Sequence, residues 1–141
     1  MLKKYSFIPE HQLGEMVDTS AAFIVSVNKN GTIYFSPFVA RIYDLEDKIV
    51  RLYADVEKKT IAWTEIKEGN LNTLKNVRQL KLNSKSKAIV IMVNKLLKKI
   101  GIEKSMLPIK NVPVTIYKDI LVQDDFHVID LSKYAIRKKD E

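Results

Sequence analysis

The apolar positions in the first half of the chain follow the two-residue period of β-strands. Ala22–Asn28 and Thr32–Phe35 are rich in β-branched and aromatic side chains, and the turn-forming residues Lys29-Asn30-Gly31 lie between them. An Asn-Gly pair between apolar runs is a strong hairpin signal, because both residues accept a positive φ angle. These residues therefore predict a β-hairpin.

A short helix and a second hairpin are expected directly after the first hairpin. Ser36 and Pro37 are typical of an N-cap and a first helical residue, so the helix should cover Phe38–Tyr43. Lys48–Ala54 and Lys59–Ile66 then alternate between apolar and polar positions on either side of a polar turn. The first half is thus predicted to run strand, strand, helix, strand, strand.

The second half changes from a strand-like to a helical period. Leu74–Leu82 is a strand candidate, and Asn83–Ser86 offers helix N-caps. The apolar residues that follow recur at helical spacing and predict one long amphipathic helix over about 87–100; they are Ile89, Met92, Val93, Leu96, Leu97 and Ile100. Gly101 suits the end of such a helix, since glycine accepts a positive φ angle there.

Two further strands and a charged tail complete the predicted elements. Val112–Lys118 and Phe126–Leu131 are predicted strands around a turn at Gln123–Asp125, and residues 132–141 form the tail. The fold class is therefore α+β, with mainly antiparallel β-hairpins in a swapped-hairpin or barrel-like arrangement. Residues 1–141 are expected to form a single compact domain.

The order of elements is similar in residues 22–66 and 74–131. Both stretches run strand, serine-containing cap, helix, strand, acidic turn, strand, although few residue identities match. One interpretation is an internal duplication of two ββαββ-like halves. The other is that a small α+β chain shows this order by chance.

Basic residues are concentrated in the second half of the chain. The formal charge is +7, and residues 1–70 hold nine Lys/Arg and ten Asp/Glu, against fifteen and seven in residues 71–141. A positive surface gains free energy by displacing counterions from phosphates, which favours DNA or RNA as partner. The competing interpretation is a solvated, lysine-rich surface that keeps the protein in solution.

The candidate nucleic-acid contacts are basic side chains, mostly from this stretch. They are Lys75, Arg78, Lys81, Lys85, Lys87 and Lys98, with Lys29 and Arg41 as secondary contacts. Lys85 and Lys87 flank the predicted helix start, where backbone amides add to the attraction for a phosphate. Because Lys outnumbers Arg, contact with the nucleic-acid backbone is favoured over base readout.

Aromatic side chains allow a second kind of contact with nucleic acid. A stacking platform for single strands is one interpretation of six of them, interleaved with Arg51 and Lys59; they are Tyr34, Phe35, Phe38, Tyr43, Tyr53 and Trp63. Burial in the core of a sheet is the simpler interpretation. The platform interpretation is retained for Tyr53 and Trp63.

The residue types and spacings do not favour catalysis. The chain has no cysteine, which excludes disulfides, thiolate zinc sites and cysteine nucleophiles. The acidic residues lie where turns are expected and lack the spacing of a metal-binding loop. His11 and His127 are isolated, and no Gly-rich phosphate loop is present. We therefore expect no enzyme activity, no cofactor and no metal.

The hydropathy of the chain predicts a soluble cytoplasmic protein without a membrane partner. The longest apolar run, Ala88–Val93, is far shorter than the roughly 20 residues that span a bilayer. Polar residues interrupt the N-terminal stretch where a secretion signal would be apolar.

Residues 22–66 resemble the AbrB-type swapped-hairpin DNA-binding domain of transition-state regulators and MazE-like antitoxins. The likeness lies in the turn Lys29-Asn30-Gly31, the strand closing on Ser36-Pro37, the short helix ending near Leu45 and the hairpin Val50–Ile66. In that family two ββαββ units interleave their hairpins, and basic residues of loops and strands face DNA. The resemblance implies this fold and assigns such contacts to Lys29 and Arg41.

The chain departs from the family pattern in the charge of the first half. This unit is acidic overall, through Asp44, Glu46, Asp47, Asp55 and Glu57. The resemblance then implies that the basic face comes mainly from residues 75–110. The overall plan is also similar to that of small proteins of phages and other mobile elements.

Two functions from different classes follow from these observations. The leading hypothesis is a non-enzymatic nucleic-acid-binding regulator or accessory protein that contacts phosphates through its basic second half. The alternative is a protein-interaction or assembly module, antitoxin-like or associated with a virus or mobile element, that acts as a homodimer without binding nucleic acid. The apolar residues Val90 and Ile91, beyond the helical stripe, favour this alternative.

Overall fold

Nine strands and two short helices make up the part of the chain that the computed structural model describes, residues 23–67, 75–119 and 124–136. The strands are β1 Ile24–Val27, β2 Thr32–Phe35, β3 Ile49–Asp55, β4 Thr60–Ile66, β5 Arg78–Gln79, β6 Ile89–Met92, β7 Ile109–Pro113, β8 Thr115–Asp119 and β9 Asp124–Asp130. The helices are α1 Pro37–Ile42 and α2 Asn94–Lys99, with 3-10 turns at Lys104–Met106 and Ser132–Tyr134.

The strands form two sheets in which every neighbouring pair is antiparallel. The first sheet has the order β6-β2-β1-β7 and the second has the order β5-β3-β4-β9-β8. The core lies between them: the rings of Phe35 and Trp63, one from each sheet, are 5.6 Å apart and fully buried. The prediction of a β-rich α+β fold is confirmed, whereas the barrel-like arrangement is wrong, because the described strands form two open sheets.

The first half adopts the predicted elements for the predicted reasons. Gly31 has a φ angle of 78° in the β1–β2 turn, where it avoids the strain that a Cβ atom would cause. The Ser36 hydroxyl oxygen accepts a hydrogen bond from the Val39 backbone N–H at 3.2 Å, and Pro37 begins α1. The second hairpin, β3–β4, pairs from Ile49↔Ile66 to Asp55↔Thr60.

The long amphipathic helix predicted over about 87–100 is wrong. Residues 89–92 form strand β6, and the helix is limited to the six residues of α2. In β6 Ile89 and Ile91 are buried, whereas Val90 and Met92 are 49% and 61% exposed, so burial follows the two-residue period. The β-branched Val and Ile residues favour a strand, and pairing with β2 provides the backbone partners.

Two other predictions for the second half are corrected as well. The strand candidate 74–82 is reduced to β5 and an isolated bridge between Leu82 and Ile89; residue 74 lies outside the described residues. Asn83 caps a turn instead of a helix, since its side-chain oxygen accepts hydrogen bonds from the N–H groups of Lys85 and Ser86 at 2.9 and 3.0 Å. This turn leads directly into β6.

The predicted strand 112–118 is divided between the two sheets. β7 ends in the first sheet at Pro113 and β8 begins in the second at Thr115. Between them, buried Val114 donates its N–H to the Phe23 carbonyl at 2.8 Å. The predicted strand 126–131 corresponds to β9, while Gln123 of the predicted turn and residues 137–141 of the tail lie outside the described residues.

Several strand pairings are retained when the two halves of the chain are exchanged. The second strands of the halves, β2 and β6, pair with each other, and so do the last strands, β4 and β9. The first strand of each half pairs with the strand that follows the helix of the other half: β1 pairs with β7, and β5 pairs with β3. Each half therefore obtains sheet partners from the other half.

The helix ends repeat this correspondence at the level of single hydrogen bonds. After α1 the Leu45 N–H donates to the Ala40 carbonyl at 2.9 Å, and after α2 the Ile102 N–H donates to the Leu97 carbonyl at 2.8 Å. The preceding residues, Asp44 and Gly101, both have positive φ angles of 50° and 82°.

Candidate nucleic-acid interface

A run of exposed basic residues follows the terminal strands of both sheets. Residues 75–99 hold eight Lys/Arg and no Asp/Glu, and all eight are exposed. The segment contains β5, which ends the second sheet, and β6, which ends the first, and it then enters α2. We call these residues the basic edge: Lys75, Arg78, Lys81, Lys85, Lys87, Lys95, Lys98 and Lys99.

At the start of the basic edge, arginine side chains connect neighbouring segments. Arg78 pairs with Val50 in the second sheet, and its guanidinium donates to the Met92 carbonyl of β6 at 2.8 Å. Arg51 of β3 donates to the Lys75 carbonyl at 3.5 Å. Arg78 therefore has a structural role between the two sheets, which the sequence pattern did not indicate.

In the middle of the basic edge, Lys87 and Arg41 line one groove. This groove of about 400 Å³ lies between α1 and the turn before β6, and it is also lined by Ser86 and by two carboxylates, Asp44 and Glu46. The groove carries both charges, so the acids weaken the attraction of Arg41 for a phosphate. Lys81 and Lys85 are exposed nearby in sequence and take no part in its lining.

At the far end of the basic edge, the β1–β2 turn meets α2. The Val93 N–H donates to the Gly31 carbonyl at 2.8 Å, and the Asn94 side chain occupies the space where a Cβ atom on residue 31 would lie. These contacts bring the turn that carries Lys29 to the start of the helix that carries Lys98. Lys59, a cation that our candidate contacts omitted, donates to the Ile100 carbonyl at 3.0 Å, where the helix dipole favours a positive charge.

The predicted contacts thus form separate groups where residues 75–99 approach β3, α1 and the β1–β2 turn. Lys75 and Arg78 lie beside β3, Lys87 faces Arg41 across the groove, and Lys29 approaches α2. Within the described ranges the ion pair formed is Lys48–Glu65 at 3.4 Å, and none of the eight predicted residues takes part in it.

The predicted aromatic set is divided between the core and the surface. Phe35 and Trp63 lie in the core, and Tyr43 stacks on Phe23 with ring centroids 4.1 Å apart. Trp63 therefore does not belong to an exposed platform, which corrects that interpretation. Tyr53 is exposed and contacts Phe126, a residue outside the predicted set, at 5.1 Å.

His127 lies inward, stacked on Trp63 with centroids 5.5 Å apart and an interplanar angle of 8°. Its Nδ1 atom is buried without a hydrogen-bond partner among the described residues. Burial lowers the pKa of the imidazole below its ordinary value of 6.5, against a hydrogen bond with the Trp63 backbone that raises it. The ring is thus stacked within the core, and its lowered pKa favours the neutral imidazole.

Among residues 23–67, 75–119 and 124–136 no three His, Asp or Glu side chains converge as metal ligands would. Over the same ranges, neither helix has the length or apolar character needed to cross a membrane.

Comparison of the chain with family models, with curated proteins and with solved structures finds no match.

Proposed function

We propose that this protein is a non-enzymatic nucleic-acid-binding regulator or accessory protein that contacts phosphates through the basic edge. The observation that carries the proposal is that residues 75–99, which contain the terminal strand of each sheet, hold eight exposed bases and no acid. Neutralised phosphates release their condensed counterions, and this release supplies most of the free energy of sequence-independent binding.

The type of basic residue supports contact with the backbone of the nucleic acid. Seven of the eight bases are lysines, which act as mobile point charges and read bases less specifically than arginine. The one arginine, Arg78, already donates to a backbone carbonyl of the protein. We therefore propose binding that depends weakly on sequence.

The proposal also uses the resemblance of residues 22–66 to the swapped-hairpin domain as a structural argument. The exchange-symmetric pairing of β1 with β7 and of β3 with β5 supports an arrangement in which two ββαββ halves of one chain interleave. We propose that residues 75–131 take the place of the second unit of an AbrB-type pair and supply most of its basic surface.

A salt titration of binding tests the proposal. We expect the affinity for a short duplex to fall steeply with salt, with log K against log[salt] decreasing by about 0.9 per neutralised phosphate. Lys85→Ala with Lys87→Ala should reduce this slope by about 2, since each lysine neutralises about one phosphate. The matched control is Lys58→Ala with Lys118→Ala, which removes two exposed lysines from the β3–β4 turn and β8 and should leave the slope unchanged.

Absence of binding to duplex and to single strands at low salt would overturn the proposal. Equal effects of both double variants would overturn the assignment to the basic edge. The alternative, a homodimeric assembly module, draws support from Phe38 and Ile42, apolar residues of α1 that are about half exposed. Light scattering on the same samples distinguishes it, because that alternative requires a dimer without nucleic-acid binding.

A further inference from the structure

Three aromatic side chains lie in a row on the outer face of the second sheet. Tyr53 of β3 is opposite Ala62, Ala62 is opposite Val128, and Tyr117 of β8 is opposite Phe126 of β9. Directly opposite residues share a face, and residues two apart on a strand do so as well. Tyr53, Phe126 and Tyr117 therefore form one surface, which we call the aromatic row.

The rings of the aromatic row contact each other; the two tyrosines are exposed to solvent, and Phe126 between them is half-buried. The centroids of Tyr53 and Phe126 are 5.1 Å apart, and those of Phe126 and Tyr117 are 6.5 Å apart. Tyr117 is 60% exposed and Tyr53 is 37% exposed. The core uses the opposite face of this sheet, so burial of the core does not account for a row of exposed rings.

Polar side chains interleave with the rings on the same face. Exposed Thr115 lies two residues before Tyr117, whereas Thr64 is buried and its hydroxyl donates to the Tyr53 oxygen at 3.5 Å. A stable protein–protein interface has an apolar centre. Rings separated by hydroxyl groups fit better to a nucleobase, which has an apolar face and a polar edge.

The charges around the aromatic row give it a direction. Arg51 lies two residues before Tyr53 on the same face, and its guanidinium reaches the Lys75 carbonyl at the start of the basic edge. The other borders carry exposed carboxylates, including Asp55 and Asp124. Asp55 lies on β3 itself and Asp124 on β9, so a phosphate is attracted at Arg51 and repelled at these two carboxylates.

We infer that the aromatic row stacks against bases of a single-stranded nucleic acid whose phosphates lie along Arg51 and Lys75. This inference rests on the proposed function and adds to it that the bound nucleic acid is single-stranded. In a duplex the base faces are covered by their neighbours, so the aromatic row is useful for unpaired bases only. Stacking tolerates any base, which agrees with weak sequence dependence.

Fluorescence anisotropy with labelled oligothymidylate and with a duplex of equal length tests the inference on the full chain. Tyr117→Ala should weaken single-strand binding roughly 5- to 100-fold, from about 1–3 kcal/mol per stacked base, and leave duplex binding unchanged. Tyr117→Phe keeps the ring and should bind as the wild type does. Asp124→Asn should strengthen single-strand binding, because a repulsive charge is removed.

The outcomes separate this inference from the proposed function. If Tyr117→Ala changes neither ligand while Lys85→Ala with Lys87→Ala weakens both, the aromatic row does not stack bases and the basic edge still binds. If no variant or wild-type protein binds either ligand at low salt, the proposed function fails too. If Tyr117→Ala abolishes self-association measured by light scattering, the row is covered by a second copy and the inference is overturned.

Discussion

His127 shows how far a residue's surroundings can change its chemistry. In the sequence it is an isolated histidine in a predicted strand, and in the structure its ring stacks on Trp63 with Nδ1 buried and unpaired among the described residues. Burial lowers its pKa, and the nearby charges of Asp125 and Glu65 oppose that effect, whereas Lys48 adds to it. The neutral imidazole is therefore the form that the fold favours.

The lowered pKa of His127 makes stability depend on pH. As the pH falls, the unfolded chain takes up the proton near pH 6.5, before the folded chain does, so the free energy of unfolding decreases below about pH 6.5. We expect the wild type to lose stability as the pH falls below about 6.5, as measured by urea unfolding, and His127→Phe to lack that step.

The effect of His127 can be separated from that of Asp130 by its pH range. Hydrogen bonds from the Ser132 hydroxyl and backbone N–H lower the pKa of the Asp130 carboxyl below 3.8, so its contribution is lost only in stronger acid. An unchanged pH profile in His127→Phe would show that the imidazole is not the group that titrates.

At the scale of elements, residues 87–100 show why an apolar pattern alone is ambiguous. Ile89, Val93 and Leu97 are buried in the structure as the helical period required, yet the first lies in a strand and the last in a helix. A short apolar run satisfies both periods, and the pairing partner settles which one forms. That partner is β2, more than fifty residues earlier in the chain.

Single substitutions in β6 distinguish the strand from the predicted helix. Met92 belonged to the buried stripe of that helix, whereas the strand exposes Met92 and buries Ile91. We expect Ile91→Ala to lower the free energy of unfolding by about 2–4 kcal/mol through a core cavity. Met92→Ala should cost less than about 1 kcal/mol. Urea unfolding of both variants measures the difference, and the reverse ranking would favour the helix.

At the scale of the whole molecule, the two halves depend on each other for sheet partners. β7 pairs with β1, and β5 pairs with β3. Cutting the chain between residues 67 and 68 therefore leaves strand edges and core side chains without partners in both fragments. The basic edge has the same origin, because the segment that carries it supplies the terminal strand of each sheet.

This interdependence predicts the behaviour of the separated halves. Fragments 1–67 and 68–141 should each lack a cooperative thermal transition as monomers. Co-expression should give a 1:1 complex that unfolds in a cooperative thermal transition. Circular dichroism and size-exclusion chromatography measure both properties. A cooperatively folded monomer of either fragment would contradict the interleaved pairing.

The local features of this protein were determined by its sequence. The Asn30-Gly31 turn, the Ser36 cap and the β3–β4 hairpin depend on neighbouring residues, so pattern and turn chemistry were enough to predict them. The excess of positive charge in the second half is likewise a property of composition.

The tertiary structure alone decided which distant residues meet. The pairing of β6 with β2 turned a predicted helix into a strand, the bend at Val114 placed one predicted strand in two sheets, and register put Tyr53, Phe126 and Tyr117 on one face. The physical reason is that a strand's partners and its buried face depend on long-range backbone hydrogen bonds and packing, which no local pattern contains.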